Sequence, residues 1–189
     1  MKFSLAILAT ITSFYSLFTI PAFAQEITPT STPTPTPIAV KYDLPYPGTL
    51  PDNIIVYKLK VLRDKIEEFL IADPTKKIQF YLLQADKGIL ASAMLVDKHE
   101  TALAQQTALK AENNYTLITN LLNSQAQKPD QELYKKLKLA DLKHQEVLNG
   151  LIGKVSGKDK KTFETVLYFA KQNLQELEKI ENTPNISEL

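Results

Sequence analysis

The sequence predicts an all-α protein, a bundle of about five mostly antiparallel amphipathic helices. Two observations lead to this prediction. Apolar residues recur every three or four positions over five long stretches, which are separated by prolines, glycines and helix-capping residues. No stretch shows the sustained alternation of apolar and polar residues that indicates a strand. A short array of helical repeats is the alternative architecture, although no residue signature recurs at a fixed period.

The first helix is predicted to follow a proline-rich lead-in, residues 42–51. Its three prolines fix the backbone and exclude a helix there. Asp52 or Asn53 can then cap the helix that begins at this point. The apolar residues of the helix are spaced by four, three, four and three positions: Ile55, Leu59, Leu62, Ile66 and Phe69. This spacing forms one apolar stripe, and we expect the later helices to pack against it.

Four further helices are predicted, over about residues 74–98, 100–127, 130–155 and 159–181. Asp73 is a cap residue and Pro74 a first-turn proline, which together place the start of the second helix. The Lys-Pro-Asp segment at 128–130 separates the third helix from the fourth. A loop that contains Gly153 and Gly157 is expected between the fourth helix and the fifth.

Residues 1–24 have the features of a secretory signal peptide. Lys2 supplies the charge, residues 3–20 form an apolar stretch, and residues 22–24, Ala-Phe-Ala, are a small-x-small cleavage site. An uncleaved membrane anchor is the alternative, because the apolar stretch is almost long enough to span a bilayer. We therefore expect an exported, extracytoplasmic protein that is secreted, periplasmic or at the cell surface.

Three segments are predicted after the signal peptide. Residues 25–41 are a Thr/Pro-rich extended spacer, residues 42–182 a single α-helical domain, and residues 183–189 a disordered tail. The chain has no cysteine, so disulfides cannot stabilise the domain. Once Lys2 is removed, 21 of the 22 Lys and Arg residues remain against 21 Asp and Glu. This neutrality argues against nucleic-acid binding and against strong attraction to an anionic membrane.

Two consecutive segments carry a family resemblance: YDLPYPGTLPDNIIVYKLKVLRDKIEEFL and the following ADPTKKIQFYLLQADKGILASAMLVDKH. They resemble a bacterial and archaeal family of exported α-helical domains of unknown function, which open with a DLPYPG-x-LPD segment and begin their second helix with DP-x-KK. The later KHQEVLNGLIGKV is similar to the C-terminal half of that family, so the resemblance covers about residues 42–180. It implies export and an α-helical fold, and it supplies no catalytic residue.

The sequence contains few residues suited to catalysis. It has no cysteine, no GxSxG segment and no phosphate-binding glycine loop, so we predict neither enzymatic activity nor a cofactor. An enzyme with an unrecognised site is the alternative. His144 is the weak functional candidate, because Asp141 precedes it by three positions, a spacing that metal-binding bundles use. A second such pair is missing, and His144 lies on an apolar stripe, so we expect a core or boundary histidine with one hydrogen-bond partner and no metal.

Two groups of residues are candidates for an interaction surface. The first group belongs to the lead-in: Tyr42, Tyr46 and Pro47. Covering the first helix is the simpler role for these side chains. The second group is a basic loop: Lys154, Lys158, Lys160 and Lys161. A solvated loop is its simpler interpretation, and contact with an anion or an acidic polymer is the alternative.

These observations favour a non-enzymatic binding or scaffolding module of the cell envelope, whose partner is an envelope protein or polymer. A periplasmic-type helical sensor or chaperone that binds apolar peptides is the alternative function. Nucleic acid is not expected as a partner, and a membrane is expected only if residues 1–24 remain attached.

Overall fold

A computed structural model of the chain describes residues 39–124 and 130–183. The described residues form five α-helices and no strand: α1 (Ile54–Leu70), α2 (Pro74–Asp97), α3 (Thr101–Ser124), α4 (Gln131–Lys154) and α5 (Gly157–Asn182). The predicted all-α bundle is confirmed. The predicted signal peptide, most of the spacer, the Lys-Pro break at 128–129 and nearly all of the tail lie outside the described residues.

Short polar side chains begin the helices where the sequence predicts them. The Asp73 carboxylate accepts a hydrogen bond from the Lys76 backbone N–H at 2.7 Å. Asp130 does the same for the Leu133 N–H at 2.8 Å. These caps satisfy backbone donors that have no partner within the first helical turn. As a result, the bounds of α2 and α4 lie within one residue of the predicted ones.

The predicted loop around Gly153 is wrong. Gly153 lies inside α4, only Val155 and Ser156 connect the two helices, and Gly157 begins α5 with a positive φ of 57°. A glycine costs a helix only about 1 kcal/mol relative to alanine, and the packing of α4 outweighs this amount. Glycine therefore marks the chain reversal at one of the two predicted positions.

Helices α2 to α5 form a closed four-helix bundle in which each helix is adjacent to two others: α2 to α3 and α4, and α5 to the same two. Buried apolar residues form two clusters. One joins the C-terminal halves of α2 and α4 to the N-terminal halves of α3 and α5, and the other joins the opposite halves. Consecutive helices therefore run antiparallel. Between the two apolar clusters, the middle of the bundle carries buried polar side chains: Asp86, Glu112, Asp141, His144 and Asn173.

Helix α1 does not have the place that its apolar stripe predicts. None of its residues is buried, and all five predicted stripe residues are exposed. The expectation that the later helices pack against this stripe is therefore wrong. The physical reason is that α2 to α5 already enclose a complete core, so α1 lies outside that core and rests on it by its polar side.

The contact between α2 and α3 depends on Gly88. A methyl group at this position would lie 2.7 Å from the Ala111 Cβ and 3.3 Å from its Cα. Gly88→Ala is therefore expected to lower the free energy of unfolding by about 1–2 kcal/mol, because the clash exceeds the gain in helix propensity. Gly150→Ala in α4 is the control, since no atom lies within 4 Å of the added methyl group.

Urea unfolding of both variants checks this expectation. Gly150→Ala should raise the free energy of unfolding by up to about 1 kcal/mol, because alanine is the better helix former. If Gly88→Ala also raised the free energy of unfolding, α2 and α3 would not be in close contact at this position.

Candidate functional site

The outward side of α1 is the most prominent feature of the described surface. We call it the α1 apolar face, and it consists of eight side chains: Ile54, Ile55, Val56, Leu59, Leu62, Ile66, Phe69 and Leu70. Their exposure ranges from 46% for Val56 to 88% for Phe69. Soluble monomers usually expose apolar patches of no more than roughly 300–600 Å², and larger patches mark interaction sites. Eight large side chains on one helix exceed that range.

The opposite side of α1 holds the helix on the bundle through polar contacts. The Tyr81 hydroxyl of α2 donates a hydrogen bond to the Glu68 carboxylate at 2.7 Å. Just before α1, Asp52 pairs with Lys98 at 2.6 Å. A cavity of about 170 Å³ lies between α1, the lead-in and the α2–α3 surface. The attachment of α1 therefore leaves its apolar face free for a partner.

The second candidate is the buried polar layer around His144. The His144 Nε2 atom lies 2.9 Å from Asp86 Oδ1, and Nδ1 lies 3.0 Å from Glu112 Oε1. The outer oxygens of these carboxylates accept hydrogen bonds from the Tyr42 hydroxyl, at 2.6 Å, and from the Asn173 amide, at 3.3 Å. The layer thus joins the lead-in to all four bundle helices.

Burial and charge shift the pKa values in this layer. Burial by itself lowers the pKa of His144, but its bonds to Asp86 and Glu112 outweigh that effect and raise the pKa to about 10. His144 is therefore an imidazolium that shares its charge with two carboxylates. Burial, with the nearby Glu112, raises the pKa of Asp141 to about 7. One Asp141 oxygen accepts from Gln145 at 2.6 Å, and the other has no partner among the described residues.

The geometry of the layer is that of a structural element. Asp86, the most exposed of its four ionisable residues, is 3% exposed, so a substrate in solution does not reach them. Both His144 nitrogens are engaged by carboxylates, and a metal ion would need one of them free. Within residues 39–124 and 130–183, no group of three or more His, Cys, Asp or Glu side chains has a metal-binding arrangement.

The structure places the predicted lead-in residues in different surroundings. Tyr42 is half-buried and bonded to Asp86, Pro47 is buried, and Tyr46 is 70% exposed. Tyr46 borders the same shallow depression as Val56 and Leu59 of the α1 apolar face. Pro47 lines this depression as well, so Tyr46 is the exposed member of the two lead-in candidates that adjoin the α1 apolar face.

The basic residues lie at the junction of α4 and α5. Lys154 pairs with Asp97 at 2.7 Å. The other three are exposed in the first two turns of α5: Lys158, Lys160 and Lys161. No apolar surface comparable to the α1 apolar face contains them, and their contact with an anion stays a prediction.

The acidic partners of His144 were not identified from the sequence. Each of the three buried acids directly follows a buried alanine of its helix: Ala85-Asp86, Ala111-Glu112 and Ala140-Asp141. Each acid also lies four positions after a buried apolar residue, so both side chains are on the same, inward-facing side of the helix. The signal that indicates such a layer is an acid beside an alanine on the apolar stripes of α2, α3 and α4, together with His144 three residues after Asp141 on α4.

Comparison with known proteins adds no relative: no family model, no curated protein and no solved structure matches the chain. The resemblance of the lead-in and first two helices to a family of exported domains stays a prediction. Among the described residues, no helix combines the length and the apolar character that are needed to cross a bilayer.

Proposed function

We propose that this chain is an exported, non-enzymatic binding module of the cell envelope whose binding surface is the α1 apolar face. The observation that carries the proposal is the exposure of all eight large apolar residues on that side of α1. Burial would stabilise the protein by about 1.5–3 kcal/mol for each such side chain, and this stabilisation is lost while the side chain is in water. The helix has a polar side that could have faced solvent instead, so its orientation supports a role in binding.

The closed chemistry of the His144 layer supports a non-enzymatic function. Asp86, Glu112 and His144 have one another, Tyr42 and Asn173 as partners, and all three are buried. The signal-peptide pattern at residues 1–24 supports export. The alternative function, a helical chaperone for apolar peptides, requires a concave groove, whereas the α1 apolar face is the convex side of a single helix.

Site-specific photocrosslinking in intact cells tests the proposal. A benzophenone amino acid is placed at Leu62, in the centre of the α1 apolar face, and at Leu142 of α4 as the control. Both leucines are exposed, but Leu142 is not part of an apolar face of this size. We expect crosslinked product from position 62 and little from position 142. Equal yields at both positions would contradict a binding function for α1.

A stability measurement tests whether the face is free in solution. The triple variant Leu59→Ser/Leu62→Ser/Ile66→Ser should change the free energy of unfolding by less than about 1 kcal/mol, since exposed substitutions are nearly neutral. Leu137→Ala is the core control and should cost about 2–5 kcal/mol, because Leu137 is fully buried. A loss in the triple variant as large as that of the control would mean that α1 buries this face within its own fold.

A further inference from the structure

The α1 apolar face runs the whole length of its helix and points directly away from the domain. The residues that approach the bundle are Tyr57, Lys60, Val61, Asp64 and Glu68, each partly buried. At 100° per residue these five centre on the side of the helix opposite Leu59, Leu62 and Ile66. The helix can therefore lie flat on a surface with the domain behind it.

Basic residues border this face. Lys58 and Lys65 are exposed on one flank, and Arg63 is exposed on the other, with Glu67 as the one exposed acid of the helix. The two remaining acids of α1 are engaged on the inward side: Asp64 pairs with Lys60 at 3.3 Å and with Arg63, and Glu68 accepts from Tyr81. The border of the α1 apolar face is thus positive on the flank of Lys58 and Lys65, whereas on the other flank Arg63 is paired with Asp64 and lies near Glu67.

This charge distribution disfavours an antiparallel second copy of the chain as the partner. When two helices pair through apolar stripes of this spacing, the residues that border one stripe face those that border the other. In an antiparallel pair of α1 helices, Lys58 and Lys65 of one copy would face the same two lysines of the other copy. A partner with negative charges around an apolar interior fits better.

We propose that the α1 apolar face binds the surface of an anionic lipid bilayer, with α1 lying in the plane of the interface. This inference rests on the proposed function, in which the same face is the binding surface. An interfacial helix has large apolar residues on one side and Lys or Arg at the border of that side, which is the arrangement of α1. The aliphatic parts of Lys58 and Lys65 pack beside the apolar residues while their ammonium groups reach the lipid phosphates.

Tyr46 extends the same surface. It is 70% exposed and borders a shallow depression with Val56 and Leu59. A tyrosine has an apolar ring and a polar hydroxyl, a combination suited to the boundary between lipid and water. A protein partner would instead need a groove that encloses a projecting stripe of eight side chains and also fills the shallow apolar depression that Leu59, Leu62 and Ile66 line on it.

A tryptophan reporter in the full chain tests this proposal, because the chain has no tryptophan of its own. Phe69→Trp places the reporter on the α1 apolar face, and Tyr168→Trp, at an exposed aromatic position of α5, is the matched control. Vesicles of phosphatidylethanolamine and phosphatidylglycerol are compared with vesicles of phosphatidylcholine. Lipids brominated on their acyl chains quench the fluorescence only of a tryptophan that enters the bilayer. If the N-terminal apolar segment inserted and α1 did not, the tryptophan at position 69 would therefore not be quenched.

We expect a blue shift and quenching for Phe69→Trp on anionic vesicles and neither for Tyr168→Trp. Adding Ile66→Lys should weaken the binding that this reporter detects by tenfold or more, since one large apolar side chain no longer enters the lipid. Lys58→Gln should reduce the preference for anionic vesicles about fivefold, because one cation near a charged bilayer contributes a factor of that size.

Other results would overturn the proposal in distinguishable ways. If neither reporter responds and light scattering shows a dimer that Ile66→Lys abolishes, a second copy occupies the face. If neither responds, the protein is monomeric and Leu62 crosslinks to a discrete protein, the partner is that protein. Both of these results reject the lipid and retain the binding surface. If Phe69→Trp emits as a buried residue without vesicles while the protein is monomeric, the proposed function fails together with the lipid proposal.

Discussion

Replacing His144 with alanine is expected to lower the free energy of unfolding by about 3–5 kcal/mol at neutral pH, the cost of removing one partner from a buried ion pair. The variant leaves Asp86 and Glu112 in the core without the imidazolium that both contact. Their remaining hydrogen bonds, from Tyr42 and Asn173, are not charged. Urea unfolding followed by circular dichroism measures the loss.

Leu148→Ala is the matched control, one turn further along α4 and fully buried. It creates a cavity without changing a charge, so its cost should be the same at pH 5 and at pH 9. The cost of His144→Ala should be complete below about pH 6.5 and should shrink toward pH 10, because the imidazolium of the natural protein loses its proton over that range. A cost below about 1 kcal/mol, or one that does not depend on pH, would show that the layer is not held by its charges.

Local chemistry explains why so much of the fold could be predicted. Asp73 and Asp130 are short acceptors at the ends of apolar-periodic stretches, and their side chains cap α2 and α4. The same periodicity places Leu82, Leu137 and Leu177 in the core, where all three are buried. Capping and periodicity depend on residues within a few positions of one another, so one sequence is sufficient to recognise them.

The position of α1 could not be predicted in this way. Periodicity shows which side of a helix is apolar, but not what covers that side. The stripe from Ile55 to Phe69 has the same pattern as the stripes of the bundle helices, yet it is exposed. The difference arises because four helices suffice to close the core, and that is a property of the whole chain.

The hydrogen-bond partners in the buried layer could not be predicted from the sequence either. His144 was expected in the core or at its boundary because it lies on an apolar stripe, and it is fully buried. It has two partners where one was expected, and they come from positions 58 and 32 residues away. Partners this distant are set by how α2, α3 and α4 pack together, so the spacing along α4 alone, from Asp141 to His144, does not reveal them.

The second large effect expected is a continuous loss of stability as the pH rises from about 5 to 10. Burial raises the pKa of Asp141 from 3.8 to about 7, so the folded state holds a proton that the unfolded state releases. That contribution to stability is complete near pH 4 and is lost by about pH 7. His144 acts in the same direction: its pKa rises from 6.5 to about 10, so its contribution is lost between these two values.

Each of these two groups contributes on the order of a few kcal/mol, because three pKa units correspond to about 4 kcal/mol at most. Tyr42 extends the trend, since burial and its bond to Asp86 raise its pKa far above the usual value. The opposite trend comes from Glu146 and Glu176, whose pKa values are lowered by Lys143 and Asn123 respectively. Their contribution is lost only as the pH falls below about 4.5, so maximum stability is expected near pH 4.5–5.

Urea unfolding at pH 5, 7 and 9 tests this trend, with Asp141→Asn as the decisive variant. The asparagine is neutral at every pH, so it should remove the loss between pH 5 and 7 and leave the loss between pH 7 and 9, which belongs to His144. At pH 7 and above the variant should exceed the natural protein in stability, because it does not have to release a proton inside the core. A natural protein that is as stable at pH 9 as at pH 5 would contradict both shifts. If Asp141→Asn lost as much stability between pH 5 and 7 as the natural protein does, a group other than Asp141 would be responsible for that loss.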